Sequence, residues 1–324
     1  MSSITAAETQ INDPLQYLMP LPYRARLYPR GFPADIASNA PEVVAAVRES
    51  WGMYAPQFDR PPMRIHCLVS DGGAEHPADP VLRGQSHLLL WVSDQENFAV
   101  CDWRRRFACS FVTRATVADP VFFRWHFLDA LIYMLLELND FISVHAACVA
   151  WKGDGVMLYG DSGMGKSTLS YACARHGWTY ISDDASSILW DDARTVIGEP
   201  HHFRFREDAP EIFPELRGLT VGRQLDRKPT IEVMTARLPI HTAAECRVSR
   251  LVFLDRAAAS PARLRAIPAG ESRHRLLRDM VAFDPDLEAR RSGAIESIAH
   301  LPAFELTYAN YQDALAQLEN LVQS

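Results

Sequence analysis

Eight consecutive residues near the middle of the chain have the types and spacing to hold phosphate. Gly160, Asp161, Ser162, Gly163, Met164, Gly165, Lys166 and Ser167 fit GxxxxGK[ST] completely, and Thr168 follows. Glycines at these positions let the backbone curl so that successive amide N–H groups point at phosphate oxygens. The lysine can reach the outer phosphates and the serine hydroxyl can ligate Mg²⁺. The motif sits between an apolar strand pattern and a helical one, so the positive end of the helix faces the same anion. ATP and Mg²⁺ are the expected cofactors.

A pair of carboxylates, Asp183 and Asp184, follows the strand-like WTYIS directly. Ligands of open α/β sheets bind at the carboxyl ends of strands, beside such a loop. Neighbouring side chains on an extended backbone point apart, so one could hold the metal while the other takes a proton from an acceptor hydroxyl. His145 lies on the strand pattern before the loop. A single histidine in an apolar strand reads first as a core group. HHFRFR alternates so that Arg204 and Arg206 share one face, suited to phosphate or a substrate carboxylate, or else to solvent. Lys228, in Arg227-Lys228-Pro229, could reach a phosphate or simply lie in a solvated loop.

The run HAACVAWKGDGVMLYGDSGMGKSTLSYACARHGWTYISDD, from His145 to Asp184, resembles the core of the HPr kinase/phosphorylase family. The resemblance implies a P-loop fold related to phosphoenolpyruvate carboxykinase and transfer of a phosphoryl group to serine. It also implies roles: Asp183 as general base, His145 beside it, Lys166 clamping phosphates, Ser167 and Asp184 at the metal. Thr168 stands where bifunctional members read Glu, so reverse phosphorylase activity is not expected. Glu215-Leu216-Arg217-Gly218-Leu219-Thr220 partly echoes a later family signature. If it is the counterpart, Glu215 lies at the metal and Arg217 at the transferring phosphate; otherwise it is an exposed helix end. The first hundred residues show no likeness to the family's N-terminal domain, so a carrier-protein acceptor does not follow.

The elements that must position these residues fall in two groups. MRIHCLVS, HLLLWVSD, NFAVCDW and FACSFVTRAT, between residues 63 and 116, alternate like strands with short connections, which predicts an antiparallel sheet. A helix from Pro41 carries Val43, Val44, Val47 and Trp51 at helical spacing. The apolar run from Phe122 to Leu138 predicts a buried linking helix. Strands are expected at 143–151, 155–160, 178–182, 186–190, 230–238, 248–255 and 303–309. A helix ending at Gly177 follows the phosphate loop, and others are expected at 271–281, 286–299 and 312–322. The expected organisation is α/β (α+β): residues 1–118 a smaller domain with an antiparallel sheet, residues 119–324 a P-loop kinase domain of the HPr kinase/phosphoenolpyruvate carboxykinase type.

Composition excludes some classes. The net charge is −7, without a basic stripe, which argues against a nucleic-acid surface. The N-terminus does not read as a secretory signal, and the longest apolar run is broken by Arg124, Asp129, Glu137 and Asp140. The six cysteines have no CxxC pair, consistent with reduced thiols and a cytoplasmic location. The leading expectation is an ATP-dependent kinase for a serine on a peptide or protein. A small-molecule kinase and an ATP sensor without turnover remain alternatives, and the resemblance leaves room for a homo-oligomer.

Overall fold

The structure is a computed structural model that describes residues 19–73, 77–219, 221–223, 229–257, 261–278 and 285–323. Lys228 and Thr220 lie outside the described residues. The chain divides into two compact units, Met1–Leu135 and Leu136–Ser324. The boundary expected at residue 118 falls inside the first unit, at the end of a short helix.

The first unit holds β1 (Tyr23–Leu27), β2 (Ala34–Ser38), α1 (Pro41–Trp51), β3 (Met63–Ser70), β4 (Val81–Gln85), β5 (Leu88–Val92), β6 (Phe98–Asp102) and β7 (Phe107–Thr113). Its sheet runs β1-β2-β3-β7-β6-β5-β4. The sheet expected to be antiparallel is mixed: β2 pairs β3 and β3 pairs β7 in parallel, and its other pairs are antiparallel. For β2 and β3 the physical reason is α1, which buries Val43, Val44, Val47 and Trp51 and carries the chain back for a parallel return; between β3 and β7 the chain returns through β4, β5 and β6. FACSFVTRAT leaves the strand at Thr113, whose side chain accepts from Thr116 N–H and caps α2 (Arg114–Ala118). The linking helix is segmented: α3 (Pro120–Phe123), a π-helical stretch Arg124–Asp129, then α4 (Ala130–Asn139), which crosses the division between the units.

The second unit opens with the hairpin of β8 (Phe141–Trp151) and β9 (Asp154–Tyr159). The loop and α5 (Lys166–Arg175) follow, closed by Gly177 at φ +86°. Next come β10 (Thr179–Ser182), β11 (Ala185–Leu189), β12 (Thr195–Ile197), β13 (His202–Arg206), α6 (Ala209–Ile212), β14 (Val221–Arg223), β15 (Pro229–Met234), β16 (His241–Thr242), β17 (Glu245–Arg256) and β18 (Arg263–Ile267). The unit closes with α7 (Ala269–Leu277), α8 (Pro285–Ala299), β19 (Ala303–Tyr308) and α9 (Tyr311–Gln323).

β8, β11, β12, β17 and β9 pair in a closed circuit. The parallel set β9-β17-β19 runs through it, so its carboxyl ends gather Tyr159, Arg256 and Tyr308 at one rim. One core cluster packs α5 and α9 with Tyr171, Trp178, Phe203, Phe213 and Leu318; a second joins Ala146, Met157, Ile181, Phe253 and Ile295. β13 alternates as expected, with Phe203 and Phe205 buried and Arg204 and Arg206 outward. All six cysteines are free thiols. Among the described residues, no helix is long and apolar enough to cross a membrane.

Candidate functional site

The loop between β9 and α5 turns at Gly163 and Gly165, with φ of +92° and +93°, a region that residues with a Cβ rarely adopt. Tyr308, at the end of β19, donates its hydroxyl hydrogen to Met164 O and so ties the loop to the parallel rim. A Cβ on Gly165 would lie 2.5 Å from that hydroxyl.

Lys166 is 6% exposed at its side chain, so its amine needs partners inside the protein. Nζ donates to Gly160 O at 2.7 Å and meets His145 Nε2 at 2.9 Å. Asp184 Oδ1 lies 3.9 Å from that amine and 3.2 Å from His145 Nδ1. With its proton on Nδ1, the imidazole accepts from Lys166 and donates to Asp184. Burial lowers the pKa of Lys166, opposed by Asp184 and then Asp161. His145 thus sits in the site and not in the core, because β11 pairs Ala185 against it and brings the aspartate pair alongside.

The two aspartates differ sharply. Asp184 is exposed and lines the phosphate cleft. Asp183 is 9% exposed, and its Oδ2 accepts the Arg204 backbone N–H at 3.0 Å. Burial pushes its pKa up to about 6, with the Arg204 N–H and charge pulling the other way. Tyr180, whose hydroxyl donates to His202 O, is raised by its own burial and then by Asp183.

The cleft has a volume of about 470 Å³ and is lined by Ser162, Gly163, Lys166, Ser167, His145 and Asp184, with Arg206 and Arg256. Arg206 Nη2 approaches to 3.8 Å from where a Cβ on Gly163 would sit. Neither Arg206 nor Arg256 has an ion-pair partner among the described residues. Arg204 does not join them; its guanidinium lies 3.6 Å from Glu232 and its backbone serves Asp183.

Glu215 does not line the phosphate cleft. Its Oε1 pairs with Arg175 Nε at 3.0 Å and accepts from Tyr171 at 3.2 Å. Arg175 ends α5, a helix begun by Lys166, so roughly 14 Å of axial rise separates the two. Arg217 is exposed beyond Glu215 and does not line the cleft.

Some residues had no signal in the sequence. Arg256 and Tyr308 sit at strand ends that carry no motif. Arg278, which the sequence presents as part of a solvated helix face, pairs with Asp161 Oδ1 at 2.5 Å and so touches the phosphate loop. Among the described residues no group of three or more His, Cys, Asp or Glu could by itself hold a metal. Ser167 and Asp184 are hard oxygen donors on one cleft, which suits Mg²⁺ held jointly with phosphate oxygens.

Residues 137–220 match the family model described as HPr Serine kinase C-terminal domain, a segment that contains His145, the loop, both aspartates and Glu215. Over 92 residues the chain is 36% identical to an HPr kinase/phosphorylase from Lactobacillus delbrueckii subsp. bulgaricus, covering 28% of this chain and 26% of that protein. Over 58 residues it is 41% identical to an HPr kinase/phosphorylase from Enterococcus faecalis, covering 18% of this chain and 19% of that protein. The chain therefore spans about a quarter or less of the length of these relatives. A solved structure, the Hpr(Ser) kinase/phosphatase from Coxiella burnetii, aligns at 13% identity and a TM-score of 0.30, covering 56% of this chain and 97% of that one. The likeness to HPr kinases thus rests on residues 137–220, the segment that carries the phosphate loop and the aspartate pair.

Proposed function

We propose that the protein is an ATP-dependent phosphotransferase that passes the γ-phosphoryl group to a serine hydroxyl of a peptide or protein. The observation that carries this reading is the convergence of His145 and Asp184 on the Lys166 amine beside the phosphate loop, with a buried aspartate of raised pKa next to Asp184 in the chain. A protein that only sensed nucleotide would have no use for a proton acceptor there. The relatives' names, HPr kinase/phosphorylase, support a protein acceptor.

In the proposed reaction the acceptor oxygen attacks the γ-phosphorus and its proton passes to Asp183. The bond from the γ-phosphorus to the bridging oxygen breaks and ADP leaves. Lys166 and the loop amides neutralise charge on the outer phosphates, with Arg206 and Arg256 positioned to add to it. A carboxyl of pKa about 6 is ionised at neutral pH and still basic enough to accept a proton. His145 holds Lys166 and Asp184 in register. Mg²⁺, held by Ser167 and Asp184, would supply charge neutralisation between the phosphates. Thr168 brings no carboxylate to the cleft, which supports a one-way kinase.

The test is incubation of the protein with Mg²⁺, γ-labelled ATP and an extract of its source. The expected result is label on a serine of a protein, lost with Lys166→Ala. Label migrating only with small molecules would replace the protein acceptor by a metabolite. ATP binding without transfer to any acceptor would overturn the kinase reading.

A further inference from the structure

A second cleft, of about 360 Å³, opens beyond the phosphate loop and shares Gly165, Thr168, Ile212 and Arg256 with the first. The two form one continuous groove with distinct ends. His145, Lys166 and Asp184 line only the first cleft, the end that a terminal phosphate would occupy. The second has none of these. Its own walls are Glu211, Tyr308, Asn310, Tyr311 and Gln312. They come from α6, the carboxyl end of β19 and the start of α9, at the rim where open sheets bind ligands.

The chemistry of these walls differs from that of a phosphate or carboxylate site. Arg256 is its only cation among the described residues, and it stands at the border with the first cleft. Tyr308 is committed to Met164 O, and Asn310 caps α9 by accepting from Asp313 N–H at 2.9 Å. What remains for a ligand is the Tyr311 ring, the Ile212 side chain, the Gln312 amide and the Glu211 carboxylate. Tyr311 is steadied on its own side by Phe213, with ring centroids 5.5 Å apart. A fixed aromatic ring with an aliphatic neighbour suits a planar heterocycle. An acceptor-only carboxylate suits a pair of hydroxyls, and the volume lies within the range of small-ligand sites.

We propose that this cleft binds the nucleoside of the nucleotide, with the base against Tyr311 and Ile212 and the ribose hydroxyls at Glu211. Arg256 then bridges the two clefts at the innermost phosphate. The proposal rests on the phosphate-loop reading above and adds to it where the rest of the nucleotide lies and which residues select it.

Calorimetric titration of the full chain with Mg²⁺ and either ATP or inorganic tripolyphosphate separates the two. Tyr311→Ala is expected to weaken ATP by about 5- to 100-fold, the range for loss of one stacked base, and to leave tripolyphosphate unchanged. Unchanged tripolyphosphate affinity also reports that the loop is still folded. Glu211→Ala, on an exposed position, is expected to show the same selectivity without touching the Phe213 contact. Equal loss of both ligands in both variants, or no loss of ATP in either, would overturn the nucleoside cleft while leaving the phosphate loop standing. Binding of neither ligand by the unaltered protein would remove both readings together.

Discussion

Lys166 shows how much at this site depends on single polar atoms. Its amine is buried, and the loss of hydration is offset by a carbonyl, an imidazole and, farther away, a carboxylate. Lys166→Ala removes the central contact of that network, and loss of productive ATP use is the expected outcome. Asp183 is the more revealing residue. Its carboxyl titrates at about 6 in the folded protein against an ordinary 3.8, so between those values the folded state holds a proton that the unfolded chain has lost. Stability contributed at this position therefore falls as pH rises from about 4 to about 6, then stays low. Asp183→Asn keeps an oxygen for the Arg204 N–H without the buried charge. It should raise stability in urea unfolding by about 3 kcal/mol at pH 7.5 and by less than about 1 kcal/mol near pH 4. The same variant should lose about 10²- to 10⁴-fold in phosphoryl transfer while still binding nucleotide. Undiminished turnover would remove Asp183 as the base. In the unaltered protein, turnover should rise with pH through a limb near 6. The sequence made the aspartate pair legible as a pair. It could not show which member is buried, because that is decided by a strand twenty residues later that lends Asp183 a backbone N–H.

At the scale of elements, the local patterns were legible and the pairings were not. The phosphate loop lies between β9 and α5 because its glycines and the flanking apolar residues allow little else. Arg204 and Arg206 alternate outward on β13 as their spacing requires. Yet Glu215, adjacent in sequence to plausible site residues, is drawn to the far end of α5 by Arg175 and Tyr171. β4, VLRGQ, lacks the apolar alternation that announces a strand, and β1 and β18, YRARL and RLRAI, alternate only over a short arginine-rich stretch; each pairs along a neighbour's edge. Gly198 is a case of a constraint hidden from sequence. It follows β12 in the unremarkable IGEP, but a Cβ there would sit 1.9 Å from the backbone oxygen of Ile181 on β10. Backbone cannot swing away as a side chain can. Gly198→Ala should therefore cost about 3 kcal/mol, the upper end of overpacking penalties, read as a lowered urea midpoint with an unchanged slope. A change within about 0.5 kcal/mol would mean that Gly198 is not held this close to the Ile181 carbonyl.

For the whole molecule, the division into two compact units, residues 1–135 and 136–324, assigns every nucleotide contact proposed here to the second. Each unit has its own sheet, and ligand linkage acts only on the equilibrium of the part that binds. ATP with Mg²⁺ at a hundred times its dissociation constant adds about 2.7 kcal/mol to the binding unit. For a unit of this size that corresponds to a rise of roughly 5–10 °C in its thermal midpoint. Scanning calorimetry of the full chain should show one transition moved by that amount and another unmoved. Lys166→Ala should abolish the shift without altering the unmoved transition. A single transition that moves as a whole would mean that the two units unfold together, and the N-terminal sheet would then share in the stability that nucleotide provides. No shift at all, at concentrations that saturate binding in solution, would contradict binding to the folded state.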